Sequence, residues 1–391
     1  MSTSVAKQKI KWILRKMGES ALRIFRRRVP LPAKPSRLLV LSIHYLGDSF
    51  WVLQAVHFLI KRFPETEIHL MLRREFGELF YGVLPPERIH VVPAMISDRK
   101  REKVSWRAIF RALREYRTQF DCVLDLSGNR YSAIASFLLR PRCSCGFSGD
   151  EFGFLYDIRL PDEESASFPL QFRPLLAARA LCGTTLRTEE EKGKKIGHIP
   201  ASGSESGSGS EPDSDSEADF SLPDRMQPPI LRNPLEEILR KYGIPSSHLA
   251  LLMPGAGWKA KEWGDENFTE TARLLKASGF HVYILGSQTE EARCVKIASD
   301  SGTDVLTGLP LGELFSLLSG AELFVGNDSG PGHISASFHH ALCISLFTGA
   351  TPMYHAPVGA NVVALDESEA PVSPEDVLTV VRTRLFHKPQ A

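Results

Sequence analysis

No run of about 18 apolar residues occurs in the 391-residue sequence, which argues against a membrane-crossing helix. No charge bias exists either. Lys and Arg total 47 against 46 Asp and Glu, so the net charge of +1 gives no footing for a globally nucleic-acid-binding protein. The six cysteines form no CxxC pair; Cys143 and Cys145 are spaced CxC, and the set reads as reduced thiols of a cytosolic chain. There is no GxxxxGK[ST] loop and no GxGxxG after the first strand, which disfavours a P-loop NTPase and a dinucleotide oxidoreductase. With no HExxH, no paired-Cys site and no suitably placed DxD, neither a catalytic metal nor a cofactor is expected.

What is present is uneven. Residues 1–36 hold "KQKIKWILRKMGESALRIFRRRV", in which Ile10, Ile13, Leu14, Met17, Ala21, Ile24 and Phe25 recur at helical spacing among basic residues, followed by a proline-rich connector. This predicts a basic amphipathic helix that lies on an anionic membrane surface through residues 7–28, or docks on the protein's own core. It has no apolar core of a secretory signal. Residues 196–228 include "ASGSESGSGSEPDSDSEADF", too poor in apolar side chains to offset its ordering entropy, and are expected to be a disordered acidic linker.

On either side of that linker, in residues 37–195 and 229–391, apolar runs alternate with helical patterns. "RLLVLS", "EIHLMLR", "RIHVVP" and "FDCVLDL" read as strands of the first half, and "HLALLM", "HVYILG", "AELFVGN" and "ALCISLF" as strands of the second. Strands that are almost wholly apolar belong to parallel sheets covered on both faces. The fold class is therefore α/β, two doubly wound domains facing a cleft at the carboxyl ends of their strands.

Four loops at those carboxyl ends are richer in polar residues and glycine than a connection needs. In "HYLGDSF", Asp48 after Gly47 reads as a helix N-cap or as a general base facing the cleft. In "DLSGNRYS", Asn129 and Ser132 hydrogen-bond a sugar-like acceptor or stabilise the turn. In "PGAGWKAKEW", Gly255 and Gly257 let backbone amides approach an anion, Lys261 adds a point charge, and Trp258 and Trp263 flank it. In "GNDSGPGHISAS", Asp328 and Ser329 cap a helix with Pro331 in its first turn, whose amino end favours phosphate oxygens.

These motifs in this order, from about Arg37 to Pro357, resemble the ADP-heptose–lipopolysaccharide heptosyltransferase family, glycosyltransferase family nine; Asn327, Asp328, Ser329, Gly330 and His333 carry the most specific part. The resemblance implies a GT-B fold with acceptor bound by the first domain and nucleotide sugar, ADP-heptose first among candidates, by the second. It places the general base at Asp48 and a donor-contacting lysine at Lys261. Glu290 or Glu291 falls near the acid that holds the ribose, Ser329 and Gly330 on phosphate-binding positions, and Asp328 opposite the donor sugar. His333 falls where a residue touches the donor or is a buried structural histidine. Gly47, Asn129 and Ser132 fall on the acceptor side. The implied activity is inverting, metal-independent transfer to a lipid-linked glycan such as lipopolysaccharide core, in the cytoplasm or at the inner membrane surface. A nucleotide-sugar epimerase and a non-catalytic sugar-nucleotide-binding protein are the alternatives. The sequence departs from the pattern at "LFTGATP", where a Gly-Pro-Thr type turn is common, and at Ser127, where glutamine is frequent. The closing stretch "SPEDVLTVVRTRLF" predicts a helix, of a kind that in this fold often returns to the first domain.

Overall fold

A computed structural model describes residues 35–92, 106–149, 152–160, 169–182, 223, 225–338, 341–349, 355–368 and 370–386. The basic segment 7–28, nearly all of the acidic linker and residues 350–352 of the departing turn lie outside the described residues. Two sheets of six parallel strands form the frame. The first has the order β3-β2-β1-β4-β5-β6, built from β1 (Arg37–Ser42), β2 (Glu67–Arg73), β3 (Ile89–Val92), β4 (Cys122–Asp125), β5 (Cys143–Phe147) and β6 (Ile158–Leu160). The second has the order β12-β11-β10-β7-β8-β9, built from β7 (Leu249–Met253), β8 (His281–Gly286), β9 (Asp304–Thr307), β10 (Leu323–Asn327), β11 (Leu342–Phe347) and β12 (Val362–Asp366). Counted within its own half, each sheet has the same order, 3-2-1-4-5-6, and in such sheets ligands bind where the winding reverses.

The continuous apolar runs follow from burial on both faces. In β1, Leu38 and Val40 point to one side and Leu39 and Leu41 to the other, and all four are fully buried. Leu39 and Leu41 join Ile109 and Leu113 of α2 (Trp106–Arg114) and Leu139 of α3 (Arg130–Leu139), after α1 (Leu46–Arg62) in the chain. Leu38 and Val40 belong to an apolar body that runs on through α1 and α4 (Arg173–Leu181) into the second half. There it takes in Leu249 and Leu251 of β7, Ile238 of α5 (Leu235–Tyr242) and Phe315 and Leu318 on the helix 311–320. The opposite face of the second sheet packs on α6 (Asp265–Ala277) and α7 (Glu291–Ser301).

The remaining helices are α8 (Leu311–Gly320), α9 (Gly330–Ala336) and α10 (Pro374–Val381). Ser373 caps α10 in a reciprocal box with Asp376, as the sequence suggests. Contrary to the expectation that this helix returns to the first domain, Val377, Leu378 and Val381 bury against the core of the second, beside Trp263 and Phe268. Its apolar stripe faces α6 of its own domain, which settles where it docks.

Candidate active site

Each motif loop follows one of the four strands that flank the two reversal points, β1 and β4 in one sheet and β7 and β10 in the other. The first begins α1, and its geometry corrects one expectation. The N-cap is Tyr45, in extended conformation and without a side-chain cap bond, so Asp48 sits inside the first turn and not at the cap. A carboxylate there is favoured by the helix dipole, and its partner is His44, whose Nδ1 lies 2.6 Å from Asp48 Oδ2. Burial lowers the His44 pKa, the hydrogen bond and charge of Asp48 and the charge of Asp125 raise it, and the net lies above the ordinary value.

Beside this pair, the β4 loop is tied inward. Asn129 caps α3, its Oδ1 accepting from the Tyr131 and Ser132 amides at 3.0 and 3.1 Å, while its Nδ2 donates to the Ile43 carbonyl at 3.0 Å. Ser132 is fully buried and its hydroxyl donates back to the Asn129 carbonyl. The polar atoms of both residues are thus committed to the turn, and the reading that they contact an acceptor gains no geometric support. Ser127 Oγ accepts from the Ile43 amide at 2.7 Å. Asp125 is fully buried and accepts from the Tyr156 hydroxyl at 2.6 Å and the Ser127 amide at 2.9 Å; burial pushes its pKa up.

In the second domain the loops after β7 and β10 are joined side by side. The Asn327 side chain is buried and bridges them, donating to the Pro254 carbonyl at 2.7 Å and accepting from the Trp263 amide at 3.0 Å. Trp263 is a buried anchor whose indole N–H donates to the Val372 carbonyl, whereas Trp258 is 52% exposed. Between them Lys261 forms an ion pair with Asp328, Nζ to Oδ2 2.5 Å, and its ammonium lies 4.6 Å from the centre of the Trp258 ring. Arg293 holds the same loop from α7, with Glu262 at 3.1 Å and Asp265 at 2.5 Å.

Ser329 occupies the N-cap of α9 but makes no cap bond, and its buried hydroxyl has no hydrogen-bond partner among the described residues. His333, one turn further, is 5% exposed and packs edge-on to Trp51 with ring centres 5.1 Å apart; burial pulls its pKa down to about 4. This is the environment of a neutral, packed imidazole. The two candidate acids separate as well. Glu290 closes a capping box with Ser287 and lies against Gly255, where any Cβ would overlap its Oε1, while Glu291 is exposed and accepts from Gln288. Gly257 lies exposed on the same loop as Lys261.

The two half-sites meet at a pair of glycines. A Cβ on Gly330 would lie 2.9 Å from the Gly47 amide nitrogen and 3.1 Å from Leu46 Cβ, so α1 and α9 touch through bare backbone. Asp48 from one domain and Asp328 and Lys261 from the other then act on one centre, the charge environment of His333. Sequence reasoning missed His44, Asp125 and Tyr156; only the i,i+4 spacing of His44 and Asp48 offered a signal. It also treated the cysteines as scattered, whereas Cys122, Cys143 and Cys145 bring their sulfurs within 4.8 Å of one another. They lie in the apolar core of the first sheet, where the hydrogen bond with Cys143 and burial push the Cys122 thiol up, and those with Cys122 and Cys143, with burial, push up Cys145.

A family profile described as glycosyltransferase family 9 (heptosyltransferase) matches residues 217–379, which include the Lys261, Asp328 and His333 loops. This part of the chain is similar to that family. Among curated relatives, it is 31% identical over 122 residues to lipopolysaccharide heptosyltransferase 3 of Escherichia coli K12, covering 30% of this chain and 35% of that protein. It is 30% identical over 152 residues to lipopolysaccharide heptosyltransferase 1 of Pseudomonas aeruginosa, covering 36% of this chain and 42% of that protein. The matched segments thus span well under half of those relatives. Solved structures show the fold over nearly the whole chain. A family 9 glycosyltransferase from Veillonella parvula superposes with a TM-score of 0.66 at 16% identity, covering 91% of this chain and 99% of that one. E. coli heptosyltransferase WaaC with ADP superposes with a TM-score of 0.64 at 16% identity, covering 89% and 99%. The expected GT-B arrangement of two facing domains is therefore the fold of this chain.

Proposed function

We propose that this chain is an inverting glycosyltransferase that moves a heptose from ADP-heptose to a lipid-linked glycan such as lipopolysaccharide core. One observation carries the reading: a carboxylate, Asp48, and a buried ammonium, Lys261, are presented from opposite domains at the two reversal points, with the domains in backbone contact between them. A binding protein has no need of a partly buried carboxylate on the far side of its nucleotide site. The relatives, lipopolysaccharide heptosyltransferases, and WaaC, solved with ADP, suggest the donor and acceptor classes.

In the proposed reaction the acceptor hydroxyl oxygen attacks the anomeric carbon in line as Asp48 takes its proton. The bond from that carbon to the diphosphate oxygen breaks with its electron pair, and configuration inverts. Lys261, held ready by Asp328 and the Trp258 face, turns to the departing diphosphate and meets its developing charge. The unpartnered Ser329 hydroxyl donates to a phosphate oxygen, and Glu290, lying over Gly255, takes the ribose. His333 stays neutral and holds Trp51 in place. Residues 7–28 bring the enzyme to the anionic cytoplasmic face of the inner membrane, where a lipid-linked acceptor resides.

The test is nucleotide-dependent stabilisation. ADP at a hundredfold its Kd is expected to stabilise the wild type by about 2.7 kcal/mol, with UDP and GDP silent, and Lys261→Ala is expected to lose most of that shift. Stabilisation by UDP in place of ADP, or none by any nucleotide, would remove the donor assignment. Release of ADP from ADP-heptose only when a heptose-deficient lipopolysaccharide is added separates transfer from epimerisation.

A further inference from the structure

His44 is a titratable side chain at the cleft that the motifs leave unassigned, and it lies in contact with Asp48, where a positioning group for the base would be. Its side chain and that of Asp48 are 28% and 35% exposed, so the contact at 2.6 Å is sheltered and not a loose surface pair. His44 ends the loop after β1, and the extended Tyr45 turns the chain so that a residue outside the helix meets one inside its first turn. The groups facing the imidazole come from three elements. Asp48 approaches from α1, Asp125 from the end of β4, and Arg173 from α4 with opposing charge, while the Tyr45 ring lies edge-on at 5.6 Å. Asp125 is held in turn by the Tyr156 hydroxyl and the Ser127 amide.

We propose that His44 is the positioning residue for Asp48. Its Nδ1, 2.6 Å from Oδ2, holds that side of the carboxylate by an ion-pair contact and leaves the other oxygen for the acceptor proton. The inference rests on the reading of Asp48 as general base. Carboxylate–imidazole pairs of this kind fix tautomer and orientation, and loss of the supporting partner commonly costs 10- to 100-fold in function. Burial opposes the imidazolium, but the hydrogen bond and charge of Asp48 together with Asp125 outweigh it and the Arg173 charge. The imidazolium is thus favoured beside Asp48, so the pH profile of turnover carries a contribution from His44.

Three variants of the full chain, assayed with ADP-heptose and heptose-deficient lipopolysaccharide, separate the roles. His44→Ala is expected to lower kcat about 10- to 100-fold with the donor KM within twofold of wild type. His44→Gln keeps an amide donor but does not titrate; it is expected to recover much of kcat while losing the part of the pH profile that His44 contributes. Asp48→Ala is expected to abolish turnover. In parallel, the His44 imidazole is titrated by NMR in wild type and in Asp48→Asn, where its pKa is expected to fall. Turnover of His44→Ala within twofold of wild type with an unchanged pH profile, while Asp48→Ala is dead, overturns the positioning role and leaves the base assignment standing. Undiminished turnover of Asp48→Ala overturns the base assignment itself. If the wild type does not turn over this substrate pair, the NMR arm decides: a His44 titration unmoved by Asp48→Asn overturns the pairing, and a fall supports it.

Discussion

At the scale of single residues the site depends on charges kept partly out of water. Lys261 and Asp328 are 13% and 7% exposed, and each desolvates the other's surroundings while satisfying its charge. Removing one partner of such a pair strands the other, which for buried pairs costs about 3–5 kcal/mol, whereas removing both is far cheaper. Lys261 has an exit, since its stem can swing along the exposed Trp258 ring toward solvent, but Asp328 is fixed by the start of α9. Lys261→Ala is therefore expected to destabilise the fold more than Asp328→Asn does, and the double variant to be more stable than the sum of single losses implies. Urea unfolding of the four-member cycle checks this; a coupling energy below about 0.5 kcal/mol would mean that the pair is independent.

At the scale of elements, the contact between α1 and α9 is set by what Gly47 and Gly330 lack. The obstacle at Gly330 is steric, because an added Cβ meets backbone nitrogen at 2.9 Å as well as the Leu46 side chain. Gly330→Ala must push the helices apart, and overpacking of this kind costs about 1–3 kcal/mol. Gly47→Ala meets its nearest atom at 3.3 Å and is expected to cost less. Calorimetry should give that ranking, and kcat should fall more than stability in Gly330→Ala because the half-sites separate; equal melting temperatures for both variants and wild type would refute the contact. Elements of this kind were unevenly legible. The fully buried strands β1, β7 and β10 announced themselves as apolar runs. The edge strands β6, β9 and β12 did not, since "IRL", "DVLT" and "VVALD" are short and only partly buried. Helix α4 was missed because "RPLLAARAL" is buried on nearly every side and shows no polar face. The motif loops were readable from their glycines and polar clusters, but the Asp125–Tyr156 bond spans 31 residues and left no local trace.

At the scale of the whole molecule the histidines make the fold acid-sensitive. Burial lowers the pKa of His57, His69, His90, His333 and His355, with His90 and His333 brought to about 4. Between the ordinary value near 6.5 and about 4 the unfolded chain binds protons that the folded chain does not, so stability falls as pH is lowered through this window. His333 alone, fully enclosed against Trp51, accounts for a loss on the order of 3 kcal/mol at about 1.4 kcal/mol per unit. The stacked His69 and His90 rings, 3.0 Å apart at Nδ1 and Nε2, cannot both take a proton without repulsion. Two groups work the other way. His44, raised above its ordinary value, contributes stability below that value and loses it as pH rises through its folded pKa; Asp125, also raised, gains relative stability as it protonates in acid. Five depressed histidines against these two give a net acid loss. Urea midpoints at pH 7.5, 6 and 5 are expected to decline in that order, with a shallower decline in His333→Gln, whose amide does not titrate. Should the wild type be as stable at pH 5 as at pH 7.5, the neutral packed state of His333 would be wrong, and its ring would have to be placed at the cleft where a proton costs little.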